Sequence, residues 1–207
     1  MNKLILALIF SVIPSIHTFA QTYDEYRKNE FFVGYSLGLI GGGMPYVNSD
    51  YPDFNHHHGF NVSLVRNTSR YIGAKIDISG VYNFSGRTFK GPMEVSVYKT
   101  RNMLHNFLGG VQFKDNASEG RFKPFAHALL GVGHIRNVPR IGSGACAPVK
   151  ACPDIYIDTG LAVAFGVGLD VHREGKVTIR AFQIDYTHVK YNNAVKPQIR
   201  FGTGIVF

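Results

Sequence analysis

The feature that most constrains this chain is an alternation of period two, which returns in stretch after stretch and sets bulky apolar residues against small or polar ones. Over residues 31–39, Phe31, Val33, Tyr35, Leu37 and Leu39 share one face, and Phe32, Gly34, Ser36 and Gly38 the other. Phe60, Val62 and Leu64 alternate with Asn61, Ser63 and Val65, then Ile72, Ala74, Ile76 and Ile78 with Gly73, Lys75, Asp77 and Ser79. A fourth segment lies around 107–113. In a fifth, over 125–135, Ala126, Ala128, Leu130 and Val132 oppose His127, Leu129, Gly131 and Gly133. The sixth has the clearest pattern: Leu161, Val163, Phe165, Val167, Leu169 and Val171 stand against Gly160, Ala162, Ala164, Gly166, Gly168 and Asp170. In the seventh, 177–186, Arg180 lands among the apolar residues unless a bulge shifts the register. The eighth, 198–207, sets Ile199, Phe201, Thr203, Ile205 and Phe207 against Gln198, Arg200, Gly202, Gly204 and Val206.

Eight strands is an even number, and the intervals between them alternate in length. The connections 40–57, 80–97, 136–157 and 188–197 are long, while 67–70, 114–123 and 172–176 are shorter. Even strand number, short turns at one end, long loops at the other and dyad alternation describe a barrel that crosses a membrane. In hydrocarbon every backbone N–H and C=O needs a partner within the protein, so strands cross only as a closed cylinder. The fold expected is therefore an all-β, eight-stranded antiparallel up-and-down transmembrane β-barrel. Its large side chains would face lipid, and its Gly, Ala and Ser rows would fit an interior just wide enough to be filled by side chains. Lys75, Asp77, Asp170, Asp185 and Arg200 would share that lumen as an ionic cluster, since an isolated buried ion costs several kcal/mol. Tyr35, Phe60, Tyr71, Phe113, Tyr186 and Phe207 fit aromatic girdles at the two interfaces, or simply the β-propensity of aromatics.

The first twenty residues read as a cleaved signal peptide: Lys3, then the apolar run 4–13, then Thr18-Phe19-Ala20 before Gln21. The domain reading is thus a leader over 1–20 and a barrel over 21–207. The apolar run is too short for an uncleaved helical anchor, which needs about 20 residues. Export places the chain in an oxidising compartment, where Cys146 and Cys152, close together in a loop, fit a disulfide. The rival, a metal pair, needs further ligands, and none is near in sequence. The formal charge of +8 is spread along the chain with no basic stripe, which points away from nucleic acid and towards anionic headgroups.

With the leader, the eight segments, the opening Phe31-Phe32-Val33-Gly34-Tyr35-Ser36 and the closing run from Phe182 to Tyr186 and Arg200 to Phe207, the chain resembles small bacterial outer-membrane β-barrel proteins of the OmpA-like transmembrane-domain type. The resemblance covers the whole expected mature chain and lacks the peptidoglycan-binding domain of the full-length archetype. It implies location in the bacterial outer membrane and a lumen closed by ionic contacts. It also implies that the terminal aromatic Phe207 is read by the barrel assembly machinery. Partners would be outer-membrane lipid and an unknown extracellular ligand met by the loops.

No residues commend themselves as catalytic, and no cofactor or metal site is expected. His56-His57-His58, in the first long connection, can be read as metal-binding, but consecutive positions do not by themselves converge on one ion. His127 reads as a satisfied lumen group, and His134 shares its strand. A lipid-modifying barrel enzyme would need Ser and His together at the membrane surface. Ser85, Ser96 and Ser143 in loops could meet the three histidines only if the loops fold together. Gly41-Gly42-Gly43 is not followed by the Lys-Ser/Thr of a phosphate loop. The expectation is a structural or surface-interaction protein. The alternatives are a lipid-modifying enzyme or small pore, and a soluble lipocalin-like barrel with its faces inverted.

Overall fold

A computed structural model of the chain describes residues 26–40, 55–90, 95–141, 155–172, 177–191 and 195–207. Eight strands follow one another in chain order: β1 (Asn29–Ile40), β2 (Asn55–Asn67), β3 (Ile72–Lys90), β4 (Val95–Lys114), β5 (Phe122–Ile141), β6 (Tyr156–His172), β7 (Thr178–Lys190) and β8 (Val195–Val206). Each pairs antiparallel with the next, and β1 closes on β8, with Phe32 opposite Val206 and Ile40 opposite Gln198. Where all eight strands pair, the ring has no free edge and its backbone groups are satisfied whatever solvent surrounds it; on the loop side β3 runs on past Tyr82 paired with β4 alone. Phe31 and Phe207 exchange backbone hydrogen bonds of 3.0 and 2.8 Å where the last strand meets the first. Among the described residues no helix is long and apolar enough to cross a membrane.

The alternation sorts side chains as the sequence indicates. Phe31, Val33 and Tyr35 point outward while Phe32 and Ser36 are buried inside, and Phe165 and Val167 are outward while Ala162 and Ala164 are fully buried. A bulge settles the seventh strand. Ala181 is left out of the pairing with both β6 and β8, and the register shifts between Arg180 and Gln183. That extra residue turns Arg180 from the apolar side into the lumen, where it is 1% exposed.

The boundaries of the long connections differ from the sequence expectation. Most of the expected loop 80–97 is strand: β3 and β4 run for 19 and 20 residues and leave only 91–94 between them. His56, His57 and His58 likewise lie on β2 and not in a loop, and Ser85 and Ser96 fall within β3 and β4. Cys146, Cys152, Ser143, Gly41-Gly42-Gly43 and the expected leader lie outside the described residues.

The reason for the misplaced boundaries is a reversal of the two faces part-way along the barrel. At the end where 68–71 and 115–121 make the turns, hereafter the turn side, the interior is polar. Towards the other end, the loop side, Val81, Leu104, Leu108, Leu129, Ile135, Val189 and Tyr191 face inward and pack together with Ile40, Ala162 and Ala164. An alternation that changes sense midway loses its signature even though the strand continues.

Glycines make room in the lumen on the turn side. Gly34 and Gly204 face one another across β1 and β8. A Cβ on Gly204 would run into the Val33 carbonyl oxygen and stand 2.5 Å from Gly34 Cα and 2.9 Å from Cε2 of Phe32, whose ring is 1% exposed. Replacing Gly204 with Val should destabilise the barrel by about 1–3 kcal/mol through overpacking. The measurement is a denaturant midpoint in lipid or micelles; an unchanged midpoint would show that β1 and β8 do not approach closely enough at this position to require glycine.

Candidate functional site

The lumen on the turn side is an ionic network built from every strand but β2. In its centre Arg200 (β8) donates to Asp185 (β7) at 2.8 and 2.5 Å and to Asp77 (β3) at 3.0 Å. Lys75 Nζ lies 3.8 Å from Asp77 Oδ2 and 3.3 Å from His127 Nδ1, and His127 Nε2 faces Asp185 Oδ1 at 3.0 Å. Asn61 of β2 donates an amide hydrogen bond to Asp77 at 2.8 Å, and Gln183 donates one to Asp185 at 2.7 Å.

Nearer the turns, Arg180 donates to Asp170 at 2.8 and 3.2 Å and to Gln183 at 2.8 Å. Its guanidinium lies between two rings, 4.4 Å from the centroid of Phe32 and 4.1 Å from that of Phe125. Lys114 pairs with Glu30 and, at 3.3 Å, with Asp170. Below it opens a cavity of 390 Å³ lined by Glu30, Lys114, Lys123 and Asp170, among others.

The charges balance. The pairs contain four permanent cations, Lys75, Lys114, Arg180 and Arg200, and four carboxylates, Glu30, Asp77, Asp170 and Asp185. All eight are less than a tenth exposed. A buried ion left without a partner costs several kcal/mol, so the balance lets so many charges share one interior. Above this layer the apolar cluster from Leu108 to Tyr191 fills the barrel. Side chains therefore occupy the lumen in two layers, ionic then apolar.

The five residues that the sequence assigned to the lumen all face it. Lys75, Asp77, Asp185 and Arg200 form one connected group, and Asp170 belongs to the adjoining group with Arg180 and Lys114. The structure adds Glu30, Lys114 and Arg180, the last through the bulge that the sequence leaves open. For Glu30 and Lys114 the signal was present, since they share the parity of Phe32 and Gln112; for Arg180 it was hidden by the bulge. His57 is 4% exposed and turned inward, whereas His56 and His58 lie on the outer side, where His58 Nδ1 and Tyr35 Oη share a hydrogen bond. Opposite directions prevent the three from meeting on one ion.

The outer wall is the reverse of a water-facing surface. Phe31, Leu64, Ile76, Phe107, Leu130, Leu161, Phe165, Val167 and Phe182 are among its exposed large hydrophobics, Phe165 at 60%. Tyr35, Phe60, Tyr71, Phe113, Tyr186 and Phe207 are exposed as well. An apolar surface that encircles a barrel is stable against lipid chains and not against water. That ordering of faces rules against the soluble, lipocalin-like alternative.

No protein-family model matches the chain, and no curated protein matches it in sequence. Solved structures do match. Ail, the attachment invasion locus protein of Yersinia pestis, solved in complex with the heparin analogue sucrose octasulfate, aligns over 86% of this chain and 97% of its own with a TM-score of 0.53 at 16% identity. Neisserial surface protein A aligns over 87% of this chain and 96% of its own, with a TM-score of 0.55 at 10% identity. The fold is that of the small outer-membrane β-barrels. At these identities the likeness is one of architecture alone.

Removing Arg200 strands two carboxylates. Arg200→Ala should cost about 3–5 kcal/mol of unfolding free energy. Adding Asp185→Ala to it should cost much less than the sum of the single changes. A double-mutant cycle from urea unfolding in lipid vesicles measures this, and strict additivity would show that the pair is not coupled.

Proposed function

We propose that the chain is exported to the bacterial outer membrane as a closed β-barrel that serves as a structural and surface-interaction protein. In this reading residues 1–20 are a cleaved leader and 21–207 form the barrel domain. The single observation that carries it is the pairing of a lipid-suited outer wall with a charge-balanced, side-chain-filled lumen. The turn side faces the periplasm and the loop side the exterior, following the rule that periplasmic turns are the shorter ones. The residues between the strands on the loop side, including Cys146 and Cys152 as a disulfide, then present the contact surface for an extracellular ligand. Phe207, exposed next to the β1–β8 closure, is assigned as the terminal aromatic recognised by the barrel assembly machinery. The residues that carry charge inside the barrel are committed to one another, which favours a non-enzymatic role.

The full chain should be released from membranes only by detergent and should migrate differently on gels before and after boiling. In planar bilayers it should form no stable large channel, because two layers of side chains block the way. A protein folded and monomeric in plain buffer would overturn the membrane reading, and a steady large conductance would overturn the closed lumen. Altered lipid A or phospholipid profiles on expression would replace the structural role with a lipid-modifying one.

A further inference from the structure

The charge of the barrel is segregated by face. All five carboxylates carried by strands, Glu30, Asp77, Asp158, Asp170 and Asp185, lie on the inward parity. Arg66, Arg101, Arg136 and Lys190 stand on the outer side, where no described strand residue is acidic. The buried pairs balance four cations against four carboxylates, and on the outer side the strand cations face no strand carboxylate among the described residues.

Those cations concentrate on β4 and β5. His105 stands directly opposite His134, Met103 opposite Arg136 and Arg101 opposite Val138, all on the outer side. Arg101 and Arg136 are therefore diagonal neighbours, about 7–8 Å apart at the backbone. The Arg101 guanidinium lies 5.4 Å from the Phe84 ring centroid, with its Nε buried and without a hydrogen-bond partner. His105 shares a 3.0 Å hydrogen bond with Tyr82 Oη through Nε2, and His134 one of 2.8 Å with Thr159 Oγ1 through Nδ1. Each imidazole keeps its other nitrogen for a ligand. Two guanidinium forks and two imidazoles on the outer side fit phosphate; the neighbouring strand carboxylate, Asp158 opposite Ile135, stands on the inward parity.

Their height on the barrel selects the source of that phosphate. From Phe113 at the turn side to His105 is nine residues, and about 9–11 tilted strand residues cross the hydrocarbon. His105 and His134 thus lie at the loop-side edge of the apolar belt, one outward step beyond Phe107 and Val132, and Arg101 and Arg136 just past it, at headgroup level. We propose that Arg101, His105, His134 and Arg136 form a site on the outer wall for the phosphate groups of the phosphorylated glycolipid of the outer leaflet. This rests on the orientation given under the proposed function.

The test uses the full chain refolded in detergent with diphosphoryl lipid A as probe, read by native mass spectrometry alongside gel migration. Wild type should retain lipid A, and Arg101→Gln with Arg136→Gln should weaken retention by about tenfold or more while the heat-modifiable form persists. Arg66→Gln, on the outer wall at the turn side, should leave retention unchanged. Dephosphorylated lipid and phosphatidylglycerol should bind far more weakly. Equal retention by wild type and the double variant, an equal loss in Arg66→Gln, or phosphatidylglycerol binding as tightly as lipid A would each overturn the site. A wild-type chain that never gives a heat-modifiable form would instead overturn the membrane reading beneath it, and the site would fall with it.

Discussion

Closing β8 on β1 shuts the ring over the span where all eight strands pair, and there each residue must choose between an interior some two side chains across and an exterior. In a soluble barrel the apolar residues would take the interior. Here, on the turn side, charge takes it, and it can do so because each buried cation meets a carboxylate. Arg200 bridges Asp77 and Asp185, Arg180 holds Asp170 between two aromatic plates, and Lys114 joins Asp170 to Glu30. The interior binds its charges to each other, which leaves the wall free to be apolar.

The same closure explains the change of character towards the loop side. There Val81, Leu104, Ile135 and Val189 form an apolar interior, while His105, His134, Arg101 and Arg136 come to the outside beside the exposed Phe84 and Ile157. The barrel is thus two cores end to end, one inverted and one conventional, on continuous strands. The long β3, β4 and β5 carry it past the membrane, and the turns at the other end are held close to it, as where Arg70 grips Asp115 at 3.0 and 3.2 Å. That grip keeps the Asp115 carboxyl below the usual carboxylate range, first through the hydrogen bond from Arg70.

How much of this was legible in the sequence follows from where the alternation keeps its sense. Within the apolar belt, as in 31–39 and 161–171, bulky and small residues alternate without a break, and both strand and facing are read directly. The ionic lumen is legible for the same reason, since Lys75, Asp77 and Asp185 fall on the small-residue parity of their strands. Past His105 the pattern inverts, so Leu104 and Val81 look like breaks in periodicity and the strand reads as loop. Arg180 differs: one extra residue, Ala181, moved it across the sheet, and no local pattern announces a bulge whose purpose is to deliver a guanidinium to Asp170.

The central claim is which face of the sheet meets lipid chains. Photolabelling from a carbene precursor dissolved in the bilayer, mapped by mass spectrometry on the folded full chain, tests it residue by residue. Label should appear on Phe165, Val167 and Ile184 and spare Gly166, Asp170 and Asp185. Label on the second set with none on the first would contradict the account.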